Sequence, residues 1–230
     1  MASVFSVIES RHSVRDYFSY ELKREEIEWT EGLFEKVPVV GTVGRLPWRL
    51  IPHSPIGSGK LYAPLLEPTS AGLVEYGFQG EALVLKLTER GFGSCWMAVG
   101  RAVEKNAPAV IVFGKEAGHT VASRLSRAVF KSNRRKDLDE LLTHDSLTPL
   151  PEQERVLNAM RAAPSAVNKQ PWRFTVTESR LLRVRRAGGR PDWSYMDLGI
   201  VLCHGYLAAL ELFGSARVTR LDDEHYQIDY

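Results

Sequence analysis

Three short stretches of this chain bring together side chains able to do chemistry. Arg11, Ser13 and Arg15 lie within five residues. Two guanidinium groups and a hydroxyl at that spacing can hold a phosphate or a polyol, because guanidinium meets phosphate oxygens in bidentate fashion. Ala163 to Phe174 reads Ala-Pro-Ser-Ala-Val-Asn-Lys-Gln-Pro-Trp-Arg-Phe, a loop in which Ser165, Asn168 and Gln170 offer several hydrogen-bond groups to one flat polar ligand. Arg124 to Lys136 carries six cations, Arg124, Arg127, Lys131, Arg134, Arg135 and Lys136, and suits either a solvated face or a phosphate. Each stretch taken singly also has a plain structural reading, as helix caps, a surface connection or a solvated face. His53, His119, His144, His204 and His225 are scattered without metal-ligand spacing, which leaves them structural or solvent-exposed roles. No Gly-rich nucleotide-binding loop is present.

The elements that must position these groups follow from apolar spacing. Val4, Val7 and Ile8 predict a short helix running into Arg11, and Leu22 to Phe34 predicts a second. Leu46 to Ile51 reads as a strand, and Ile56 to Thr69, rich in Gly and Pro, as an irregular excursion. Leu73 to Arg90 is a long pattern expected to form a central buried helix. It stops at Gly91-Phe92-Gly93-Ser94-Cys95-Trp96, where glycine supplies a left-handed cap and Gly93 admits close approach of a ligand or another backbone. Ala107 to Gly114 predicts a buried strand, Leu138 to Leu142 the start of a helical stretch, and Pro151 to Ala162 a helix that Pro164 prevents from continuing. After the polar loop come a strand from Trp172, another over Leu181 to Arg186, a turn at Gly188-Gly189, a second buried helix over Asp197 to Phe213, and two short β runs.

The whole chain sets limits on partners and compartment. With 230 residues, 44% apolar and 25% charged, it has the composition of an ordinary globular protein long enough to bury a core without staples. A net charge of +2 argues for neither a nucleic-acid nor a membrane partner. Two cysteines, Cys95 and Cys203, make no disulfide framework and point to a reducing compartment. The N-terminus lacks the pattern of a signal peptide, so the expected location is cytoplasmic.

The chain also repeats itself. Pro-Trp-Arg begins at Pro47 and again at Pro171, and the two long helical patterns match Gly77 with Gly199, Leu85 with Leu207 and Glu89 with Glu211, each pair 122 positions apart. Ser10 to Val14 falls against Ser132 to Lys136 at that offset. Three matches in one order predict a duplication, with halves 1–125 and 126–230 sharing one core. The halves are complementary: the first keeps Arg11 to Arg15 and Gly91 to Trp96 but has a depleted Val37 to Leu46, while the second keeps the full polar loop. A two-fold pseudo-dimer with one surviving composite site would look like this.

These segments resemble the nitroreductase family of FMN-dependent oxidoreductases, and the late position of the loop resembles its subgroup with two such subunits fused in one chain. The resemblance implies an α+β fold, a mixed, mainly antiparallel sheet flanked by helices, with the two long helices paired in the centre. It implies that Arg11, Ser13 and Arg15 hold the FMN phosphate and ribityl chain, with His12 contributing mainly backbone, and that Arg134 or Arg135 adds a second cation. Pro164, Ser165, Asn168 and Gln170 would come to the flavin from the other half, and Gly93 and Ser94 would approach its ring. NAD(P)H is the implied electron donor and a nitroaromatic or quinone the implied acceptor, with no catalytic side chain, since the cofactor carries the chemistry. One chain then suffices for one site. The other reading is a non-catalytic flavin- or small-ligand-binding protein on the same fold.

Overall fold

The computed structural model describes residues 2–98, 104–118, 134–178 and 180–230. The predicted junction near residue 125 and Arg124, Arg127, Lys131 and His119 lie outside these residues. Helix α1 (Val4–Ser10) begins at Ser3, whose hydroxyl accepts the Phe5 N–H. The Glu211 carboxylate accepts from the Ser3 hydroxyl and the Val4 N–H, both at 2.6 Å, placing an acid where the helix dipole favours it and tying the start of the chain to its last long helix. Helix α2 (Arg24–Glu31) is capped at its start by Glu26, which accepts the Lys23 N–H.

Strands β1 (Arg49–Ile51) and β2 (Gly59–Tyr62) precede helix α3 (Ser70–Glu89), and β3 (Gly93–Met97) and β4 (Val110–Gly114) follow it. Later in the chain the described residues show the same order of element types, with α4 (Leu138–Leu141), α5 (Pro151–Arg161), β5 (Trp172–Glu178), β6 (Leu181–Arg186), α6 (Pro191–Phe213), β7 (Arg217–Arg220) and β8 (His225–Asp229). The sheets run β1-β2-β4-β3 and β5-β6-β8-β7, the same strand order in each half. Both long helices have clear ends. Thr69 accepts the Gly72 N–H to open α3, Pro191 opens α6, and Gly214 closes it at φ 76°.

Helix α3 packs on the first sheet, α6 on the second, and the two helices against each other. They cross at glycines. A Cβ on Gly77 would sit 2.0 Å from the Met196 carbonyl oxygen, and one on Gly199 would sit 1.9 Å from that of Val74. Helix α6 is the one helix among the described residues long and apolar enough to cross a membrane, and 67% of its apolar window is buried in this core.

The architecture corrects several expectations. Instead of one mixed sheet there are two separate four-stranded sheets, in which every strand pair is antiparallel. The paired helices lie between them and each sheet closes on its own hairpins. Parallel pairing among the described residues is confined to the isolated bridges Ser13–Ser94 and Leu142–Phe174. The stretch 56–69 contains β2, whose Gly59 sits against the Phe113 ring. Gly91 is the expected left-handed cap at φ 79°, but Gly93 to Met97 is a strand. Helix α6 starts six residues before Asp197.

Candidate functional site

A cleft of about 260 Å³ is lined by residues from early and late in the chain. From the first half, Ser13 and Arg15 line it, positioned where the backbone beyond α1 runs beside β3: the Val14 N–H donates to the Ser94 carbonyl at 2.9 Å. From the second half come Arg135, Pro164, Ser165 and Asn168. Six residues singled out in the sequence thus meet in one cavity.

The polar loop is held by bonds to itself and to the basic stretch before it. The Ser165 hydroxyl accepts the Gln170 N–H at 2.9 Å, Asn168 Nδ2 donates to the Arg134 carbonyl at 2.7 Å, and Arg135 donates to Asn168 Oδ1 and to the Ala162 carbonyl. Its short 3-10 turn, Ala166–Asn168, carries Val167 at φ 46° and Asn168 at φ 57°, with Gln170 at φ 49°. Three left-handed non-glycine residues in so short a span, one of them β-branched, cost about 1–3 kcal/mol each. Such a conformation persists only where neighbours impose it, and strain of this kind concentrates at ligand sites.

The remaining candidates stand behind the cleft and do not line it. His12 turns its ring to Glu116, with Nε2 3.0 Å from the carboxylate. Gly93 is a glycine because Val14 occupies the space of a Cβ, 2.6 Å away, and Ser94 is buried beneath the bridge to Ser13. Gln170 is buried, donating to the Arg134 carbonyl and accepting the Lys136 N–H, so it buttresses the loop. Arg134 contributes its carbonyl. Arg11 is partly buried, and its Nε is sealed from solvent without a hydrogen-bond partner among the described residues.

Positive charge is concentrated here. Burial, then the Arg11 and Arg161 charges, hold the Arg135 guanidinium down to about 10, and burial lowers that of Arg11 against the pull of Glu81. Guanidinium groups that depress one another in a partly buried setting are relieved by an anion between them. Burial pushes the Cys95 thiol up, so it is an inert part of the wall, and Cys203 is likewise buried and free. No group of acids, histidines and cysteines among the described residues could hold a metal ion.

Several wall residues carry no local motif. Trp96 and Met97 enter from β3, and Trp193, Met196, Asp197 and Ile200 from the first turns of α6. Pro191 followed by Asp192 is a helix-start signal, and using it would have placed Trp193 and Asp197 on one helical face beside the loop. Beneath the cleft, Glu81 accepts the Trp96 indole N–H at 2.8 Å and faces His204 Nε2 at 3.0 Å, while His204 Nδ1 meets the Ala159 carbonyl at 2.9 Å. His204 is thus fully buried with both ring nitrogens engaged.

A family model described as Putative TM nitroreductase matches residues 56–209. The chain superposes on a putative nitroreductase from Thermotoga maritima with a TM-score of 0.82 and 31% sequence identity, over 99% of this chain and 94% of that one. Weaker likeness extends to a nitroreductase family protein from Clostridium difficile, with a TM-score of 0.44 and 15% identity over 64% of this chain and 100% of that one. An FMN-dependent nitroreductase of the same species gives a TM-score of 0.41 and 12% identity over 50% and 88%. No curated protein matches the chain. A family model spanning more than half of the residues and a full-length structural match at this identity establish that the chain belongs to the nitroreductase family, in the group described as Putative TM nitroreductase.

Proposed function

We propose that this protein is an FMN-dependent oxidoreductase that uses NAD(P)H to reduce a small acceptor such as a nitroaromatic or quinone, in a composite site made by two fused nitroreductase-like halves, 1–125 and 126–230. The observation that carries the reading is the cleft itself, where Ser13 and Arg15 of one half face Arg135, Pro164, Ser165 and Asn168 of the other within one chain. The identical strand order of the two sheets and the crossing of the paired glycines support the duplication.

The residues fit the cofactor. The Arg135 guanidinium, depressed by burial and by the Arg11 and Arg161 charges, is what a phosphate in the cleft would relieve. Ser13 and Arg15 would hold the phosphate end, with Arg135 as a further cation and Arg11 adding its charge from behind the wall, and the strained loop would present backbone groups and Ser165 to the ring system. Trp96, Trp193 and Met196 give the cleft apolar faces suited to flat molecules. FMN, when bound, supplies acceptance of a hydride from a nicotinamide and its later donation to an acceptor. The protein's part is to orient flat partners, keep water from the reacting faces and set the charge around them.

Mixing the FMN-loaded protein with NAD(P)H without oxygen is expected to bleach the flavin absorbance, and adding a quinone to restore it. Loading without bleaching by either nicotinamide would replace this reading with that of a flavin-binding protein without catalysis.

A further inference from the structure

We propose that Asp197 is the catalytic acid of this cleft, delivering to a quinone-class acceptor the proton that accompanies each hydride. The assignment rests on the flavoprotein reading and deepens it. Asp197 lines the cleft from the first turns of α6 and is only 4% exposed. Its Oδ1 accepts the Ala166 N–H at 2.9 Å, and Oδ2 has no hydrogen bond to a described residue. A second, smaller cavity of about 40 Å³ shares Ala166, Val167, Trp193 and Asp197 with the cleft, so Asp197 lines both spaces.

Its surroundings favour the neutral acid. An ionised carboxylate has about four acceptor sites, and Asp197 has one donor. Trp193, Met196 and Ile200 flank it on its own helix. Arg15 and Arg135 lie across the cleft, and Lys169 and Arg190 border the smaller cavity. Burial raises its titration to about 7 against the opposing Ala166 bond.

A comparison within the chain argues against a purely structural role. Glu75, 122 positions earlier, performs the structural task fully in the first half, accepting the Val40 and Gly41 N–H groups and the Gln79 amide to hold the depleted loop closed. Asp197 is one methylene shorter, lines the cleft and makes one such bond, with no hydrogen bond from a described residue to its other oxygen.

The step balances. A quinone receives two electrons and one proton as the hydride that FMN passes on from NAD(P)H, and a second proton from the Asp197 O–H to a carbonyl oxygen, becoming a hydroquinone. NAD(P)H becomes NAD(P)⁺. The Asp197 carboxylate then takes a proton from water.

The test compares Asp197→Asn with wild type in the presence of FMN, using a quinone and, separately, ferricyanide, a one-electron acceptor that takes up no proton. The ratio of quinone to ferricyanide turnover is expected to fall about 100-fold in the variant, and the wild-type decline of the quinone rate above about pH 7 to disappear. Without cofactor, the melting temperature of the variant relative to wild type is expected to rise between about pH 5 and pH 8. The sign follows from linkage: the folded wild type holds a proton that the unfolded chain releases near pH 4, so wild-type stability declines as pH climbs toward 7. An unchanged acceptor ratio, or a melting difference that is flat with pH, overturns the assignment to Asp197 while leaving the flavoprotein reading standing. Wild-type protein that takes up no FMN, or is not reduced by NAD(P)H, overturns both.

Discussion

Replacing Gly199 by alanine is expected to destabilise the protein by at least about 3 kcal/mol, and replacement by valine to leave no folded protein. One methyl group at this position meets the Val74 carbonyl oxygen at 1.9 Å and the Phe78 nitrogen at 2.7 Å. These are backbone atoms of a helix buried along its length, so no side chain can rotate aside. Helices α3 and α6 would have to separate, opening gaps along the core that both sheets share. Overpacking commonly costs about 1–3 kcal/mol, and this case stands at the upper end or beyond because the obstacle is main chain. Gly72→Ala is the control. The added methyl there meets Thr69 Oγ1 at 3.2 Å and Leu65 at 3.4 Å, and the gain in helix propensity of up to about 1 kcal/mol opposes that crowding. Denaturant unfolding followed by far-ultraviolet circular dichroism measures both, and a Gly199→Ala variant within about 1 kcal/mol of wild type would mean that the helices slide apart freely.

The second large effect is expected at Glu81. Its carboxylate is wholly buried and joins four elements: its own α3, β3 through the Trp96 indole, α6 through His204, and α5 through the bond of His204 to the Ala159 carbonyl. A carbonyl only accepts, so His204 Nδ1 carries a proton, and a further proton lies between Nε2 and Glu81. Glu81→Leu removes the acceptor of the Trp96 N–H and the partner of the imidazole together. The expected cost is about 3–5 kcal/mol, as for other broken buried pairs. Glu81→Gln keeps an oxygen for Trp96 and an N–H for His204 Nε2, and is expected to cost only about 1 kcal/mol. Thermal unfolding at neutral pH separates the two. Equal losses in both variants would assign the effect to volume and packing instead of the hydrogen-bonded network.

Much of this fold was legible in the sequence because its longest elements carry strong apolar patterns. Helices α3 and α6 and the strands Val110–Gly114 and Leu181–Arg186 stand out by periodicity or by continuous apolar runs. The cleft was legible in part, since Ser13, Arg15, Arg135 and the Pro164 to Asn168 loop, singled out by their polar and charged residue types, line it together. What stayed hidden lacks local contrast. Strand β3 begins at a glycine two residues past a helix cap, so it reads as part of the stop. Strand β2 lies between Gly57 and Pro64, where turn residues mask a short buried run. Gly93 looks like a ligand-facing glycine, yet it makes room for Val14, and a sequence cannot tell which neighbour a missing side chain accommodates. Asp197 has no motif either. Beyond the helix start at Pro191, its signal is the 122-residue offset from Glu75, which gains meaning once each acid is seen to accept backbone N–H groups of a loop.

The central claim is that one chain contributes both walls of one flavin site. The most direct measurement is a titration of the purified protein with FMN, followed by flavin fluorescence quenching, with the mass of the loaded species read by light scattering on a sizing column. Saturable binding of one FMN per chain, at micromolar concentration or below and in a species of monomer mass, is the expected result. No saturable binding at micromolar FMN, or one FMN per two chains in an obligate dimer, would contradict it.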